Sequence, residues 1–133
     1  MARHVKKQAR KLGLPPGVLV HTGPRKVEHV RLEVFRYTDT TCDTLQPAAL
    51  STDVLADPSA GVAWLNIDGL HDVNLIETLG RRFDLHPLIL EDILHTEQRA
   101  KVEQDDRYIF AVLQMLRPNN DHIQSEQISL VLT

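Results

Sequence analysis

Residues 27–37 set Val30, Leu32, Val34 and Tyr37 against Arg31, Glu33 and Arg36. That period of two predicts a half-buried strand. Upstream, Pro15, Pro16 and Gly17 break any helix, so residues 18–22 read as a short strand that ends at the Gly23-Pro24 turn. Downstream, residues 38–60 are polar and contain Pro47 and Pro58, with room for one short helix at 47–50. The apolar run from Val62 to Ile67 predicts a strand closed by the turn pair Asp68-Gly69. Trp64, near its start, is expected in the core.

The period then changes. Leu75, Ile76, Leu79 and Phe83 recur at helical spacing behind Asp72, a good N-cap residue. Asp84-Leu85-His86 ends that helix, and Pro87 suits the first turn of another over 87–95, which buries Ile89, Leu90, Ile93 and Leu94. Residues 107–116 are almost continuously apolar, the mark of a strand in the middle of a sheet. Residues 118–121, Pro-Asn-Asn-Asp, turn the chain back into a strand over 123–132. The acidic run Glu103, Asp105, Asp106 beside Lys101 and Arg107 reads as a solvated strand entry. Strands, then two helices, then strands predict an α/β layer fold on a mixed sheet. The alternation of Ile128, Leu130 and Leu132 runs to the last residue, so the chain is expected to be truncated on its C-terminal side, with an incomplete sheet edge open to self-association.

Composition narrows the function. The 133 residues are enough for one domain with a real core, and the 42% apolar and 25% charged fractions are ordinary for a globular chain. A net charge of −3 argues against a nucleic-acid partner, which would require a basic surface. No apolar run reaches the roughly 20 residues that span a bilayer. The basic stretch 1–12 lacks the apolar core of a secretory signal and reads as a disordered tail ahead of a domain over 13–133. Cys42 stands alone in a polar loop, without a partner for a disulfide or a zinc site. There is no glycine-rich phosphate loop, no Gly-x-Ser-x-Gly elbow and no readable triad, so an enzyme is not expected.

The remaining chemistry is carboxylate. On the helix over 87–95, Leu88, Glu91, Asp92 and His95 share one face. Neighbouring carboxylates repel unless a cation or base compensates. Protonated His95, Arg99 or Lys101, or a bound divalent ion would each serve. On spacing alone the simplest reading is a solvated, ion-paired face. His71, His86 and His95 lie near carboxylates and make a transition-metal site conceivable, but capping, helix entry and pairing with Glu91 are the plainer roles.

The block HPLILEDILHTEQRAKVEQDDRYIFAVLQML at 86–116 closely resembles a signature of the CorA-type magnesium transporter family, in the cytosolic part that precedes the membrane helices. GLPPGVLVHTG at 13–23, WLNIDGLHD at 64–72 and SEQISLVLT at 125–133 match family blocks in the same order. The resemblance implies an α/β/α sandwich, with helices on both faces of a mixed sheet, and a homopentamer anchored in the inner membrane by helices beyond residue 133. The segment seen here would then lie in the cytoplasm. It implies that Asp92 is a ligand of a regulatory Mg2+ site, with Co2+ as an alternative ion, completed by an acidic residue on a neighbouring protomer's stalk helix. Glu91 and the backbone carbonyl of Leu14 carry over to a second, adjacent site. Magnesium suits such a place, since it takes hard oxygens, keeps several waters and needs only one or two carboxylates. Two departures from the family pattern stand out. Ala100 replaces the usual Pro between Arg99 and Lys101, and Glu97 stands where some members have His, which leaves the second site's ligands open. A related zinc transporter and a stand-alone soluble cation-binding module are the alternatives.

Overall fold

The computed structural model describes residues 13, 15–47 and 61–133. Their contacts divide the chain into two units, Arg25–His71 and Met1–Pro24 with Asp72–Thr133. Leu14, the stretch 1–12 and residues 48–50 of the expected short helix lie outside the described residues.

In the unit Arg25–His71, the alternating run becomes strand β1, Arg31–Tyr37, at the centre of a three-stranded sheet. It pairs antiparallel with β2, Cys42–Leu45, on one side and with β3, Val62–Asp68, on the other. The register sets Leu32 opposite Ile67 and Val34 opposite Leu65, so the apolar positions share one face. Leu32 and Val34 are buried on it. The opposite face brings Phe35 beside Trp64, which is half exposed and not the core residue its sequence suggested. Cys42 does not lie in a loop: it opens β2, exposed, opposite Tyr37.

In the other unit, helix α1 (Val73–Arg82) starts where Asp72 accepts the Leu75 N–H at 3.1 Å. Its end is closed by Asp84 in the left-handed region, φ 50°, with Leu85 N–H donating to the Gly80 carbonyl at 2.9 Å. Helix α2 (Pro87–Leu94) follows at once. His86 caps it with Nδ1, which accepts the Leu88 N–H at 3.2 Å, and Pro87 sits in its first turn. Strands β4 (Lys101–Gln104), β5 (Ile109–Asn119) and β6 (His122–Leu132) form a second antiparallel sheet with β5 in the centre, as its apolar run predicts. Phe110 and Val112 of β5 are fully buried in a cluster with Ile89 of α2 and Tyr108, and Leu85, Ile93 and Val131 pack against it.

The α/β class holds. The described strands, however, form two antiparallel sheets and not one mixed sheet. Parallel neighbours need a crossover between strands of the same sheet, and here α1 and α2 connect one sheet to the next. The strand expected at 18–22 is reduced to one parallel bridge, Thr22 with His95. Prolines and glycines on both sides leave it little backbone that can pair.

Candidate divalent-cation site

Helix α2 is gripped at both ends. Gly17, with φ 84°, brings its N–H to Glu91 Oε2 at 2.9 Å, and its α-carbon comes so close to Pro87 that an added Cβ would touch it at 3.4 Å. At the C-terminal end, where a helix leaves carbonyls unpaired, several find donors. Thr22 N–H reaches the Leu94 carbonyl at 3.0 Å, and Thr96 returns its N–H and Oγ1 to the Thr22 carbonyl at 3.2 and 2.9 Å. The Asp92 carbonyl accepts from His95 N–H and Gln98 Nε2, and the His95 carbonyl accepts from Gln127 Nε2 at 2.9 Å.

Asp92 sits in the last turn of this helix, with its side chain 30% exposed. Gln98 Nε2 donates to its Oδ1 at 2.9 Å, and the Lys101 ammonium lies 2.5 Å from its Oδ2. Of the three compensations open to the carboxylates, the lysine is the one the structure places on Asp92. Lys101, itself 30% exposed, also reaches Glu103 Oε1 at 2.6 Å and stands 5.5 Å from the centre of the Phe110 ring. A half-buried pair of this kind contributes about 1 kcal/mol, and the ring a similar amount. Burial pulls the Lys101 pKa down, but the hydrogen bonds and attraction from Asp92 and Glu103 outweigh it and hold the group above its ordinary value.

The two carboxylates thus have different work. Glu91 holds the Gly17 segment, while Asp92 faces Gln98 and the first residue of β4. Gln98 is the hub of an amide network that the sequence did not disclose. Its N–H donates to Gln127 Oε1 at 2.8 Å, and its carbonyl accepts from Gln114 Nε2 at 3.1 Å. Ser125 Oγ donates to Gln114 Oε1 at 2.8 Å. Amide side chains carry no spacing signal, and only the folded hairpin brings 114 and 127 to 98. Among the described residues no three His, Cys, Asp or Glu side chains converge on one point. Asp92 is a single carboxylate, held by Gln98 and Lys101. The positive charge beside it is the Lys101 ammonium at Oδ2.

Residues 59–133, more than half of the chain, match the family described as CorA-like Mg2+ transporter protein. The chain belongs to this family. Over 130 residues it is also 38% identical to the cobalt/magnesium transport protein CorA of Thermotoga maritima, an alignment that takes in 96% of this chain and 37% of the relative. The chain thus spans little more than a third of that relative's length. The CorA-like match includes α2, β4 and the β5–β6 hairpin, and with them Glu91, Asp92, Gln98, Lys101 and Gln127. Among the described residues no helix is long and apolar enough to cross a membrane.

Proposed function

We propose that this chain is the cytosolic divalent-cation-sensing part of a CorA-type magnesium and cobalt transport protein. Asp92 is the sensing ligand, and Glu91 and the Leu14 carbonyl belong to an adjacent second site. The proposed assembly is a homopentamer whose membrane helices lie outside these residues, in which the two sheets and both helices form part of an α/β/α sandwich. In that assembly Asp92 faces an acidic residue of a neighbouring protomer. A bound Mg2+ or Co2+ ion supplies positive charge that offsets their repulsion. The closed arrangement is favoured because it binds the ion better than the open one, and loss of the ion leaves the carboxylates to push the protomers apart.

The observation that carries this reading is the placement of Asp92. It is a half-buried carboxylate at the end of a clamped helix, held by Gln98, in a chain of the CorA-like family. Asp92→Asn in the full-length protein keeps the shape and the Gln98 contact but removes the charge. Magnesium influx should then persist at internal magnesium concentrations that shut the parent, with the inhibition midpoint raised at least tenfold. An unchanged midpoint would remove Asp92 from the sensor.

A further inference from the structure

Both carboxylate oxygens of Asp92 are engaged, and they are engaged differently. Oδ1 accepts from the neutral Gln98 amide at 2.9 Å, whereas Oδ2 is met by the Lys101 ammonium at 2.5 Å. A metal ion on Oδ2 would stand where that ammonium stands, and like charges so close repel strongly in a half-buried place. Lys101 must therefore leave before an ion can bind Oδ2. The structure gives it somewhere to go. Glu103 Oε1 is already within 2.6 Å of Nζ, and the Phe110 ring faces it at 5.5 Å, so release from Asp92 does not strand a charge. The Gln98 contact meanwhile keeps the carboxylate aimed while its other oxygen changes partner.

The geometry points to Lys101 as a built-in competitor for divalent cations at Asp92: its ammonium covers Oδ2 when no ion is bound and withdraws to Glu103 when one is. This rests on the reading of Asp92 as a cation ligand. It adds how the site is tuned and what it excludes. A monovalent ion brings no more charge to Oδ2 than Lys101 already supplies, whereas a divalent ion brings twice as much. The competitor thus raises the concentration at which the site fills and biases it against potassium and sodium. A lysine suits the task, being a single point charge on a flexible stem; an arginine fork would hold both carboxylate oxygens.

The test uses the full-length protein and reads the magnesium concentration at the midpoint of the magnesium-induced rise in melting temperature. Lys101→Met should lower that midpoint about fivefold, the equivalent of losing one half-buried ion pair. Lys101→Gln serves the same purpose if the methionine variant does not assemble. Glu103→Gln should raise the midpoint, because the ammonium loses its second berth, and should do nothing in the Lys101→Met background. If Glu103→Gln raises the midpoint equally in both backgrounds, Glu103 acts only as general charge and the withdrawal step is wrong. If Asp92→Asn abolishes the response while Lys101→Met leaves the midpoint unchanged or raised, the competitor is overturned and the Asp92 site stands. If Asp92→Asn leaves the response intact, the underlying reading fails, and the role of Lys101 with it.

Discussion

At the scale of single residues, the side chains that decide most are those whose surroundings reverse their ordinary behaviour. Gly80 lies inside α1, where replacement by Ala normally gains about 1 kcal/mol of helix propensity. Here a Cβ would lie 2.3 Å from Leu90 Cδ1 and 2.9 Å from Cδ2, and Leu90 is itself buried. Overpacking of this kind costs about 1–3 kcal/mol. Gly80→Ala is therefore expected to destabilise the fold by about 1 kcal/mol or more in urea unfolding; a stabilised variant would show that α1 and α2 are not this close. Arg107 is a second such residue. Its guanidinium donates to the Asp84 carboxylate and carbonyl, holding a non-glycine residue in the left-handed region, and also binds Asp105. The hydrogen bonds from Arg107 hold the Asp105 carboxyl below its ordinary value. A lowered carboxyl pKa contributes stability that is fully present above about pH 4, the unfolded value, and is lost as pH falls through the folded one. Asp105→Asn should thus show a constant stability deficit from neutral pH down to about pH 4 that closes towards more acid conditions. A deficit that persisted unchanged to the acid limit would assign the effect to packing.

At the scale of elements, what could be read from the sequence was what local chemistry dictates. Asp72 before an apolar helical period, and His86-Pro87 before another, mark both helices to within a residue, because caps and proline act through their own backbone. The central position of β5 is legible for a similar reason: Phe110 and Val112 are apolar at positions that a central strand must bury. β2 and β4 were not legible as strands. Cys42-Asp43-Thr44-Leu45 is exposed along its whole length, and Lys101-Val102-Glu103-Gln104 nearly so. Neither has a face to alternate, and each is a strand only because β1 or β5 supplies the partner. The antiparallel β5–β6 pair was legible in the turn at 118–121, but the division into two sheets was hidden, because the order of elements does not say that the helices join two sheets. The connection from α2 to the hairpin is the least local feature. Gln127 accepts from Gln98 N–H and donates to the His95 carbonyl. Gln127→Leu fills similar space but leaves both half-buried groups unpaired, at a cost of about 2 kcal/mol. Because Gln98 orients Asp92, the same variant should weaken the magnesium-induced rise in melting temperature. A variant that lost stability but kept the magnesium response would confine the network to a structural role.

At the scale of the whole molecule, the candidate site combines one residue that the family signature marks and several that only the fold assembles. Asp92 stands in the block at 86–116 and was visible there. Lys101 was one of several bases near enough in sequence to pair with it, and the structure selects it. Gln98 was not visible at all, since its value lies in touching the side chain and the carbonyl of Asp92 at once. Glu91, which the resemblance places near a second site, is engaged with Gly17, so filling that site would have to displace or share this contact. The proposed sensor asks of this chain only one anchored carboxylate, the other being placed on a neighbouring protomer. Cobalt is the most direct probe, because its anomalous scattering identifies it and it accepts oxygen ligands at nearly the same distance as magnesium. Crystals of the full-length protein grown with Co2+ are expected to show an anomalous peak about 2.1 Å from Asp92 Oδ2, with the Lys101 ammonium on Glu103 alone. Cobalt bound elsewhere, with Lys101 still on Asp92, would contradict both the sensor and its competitor.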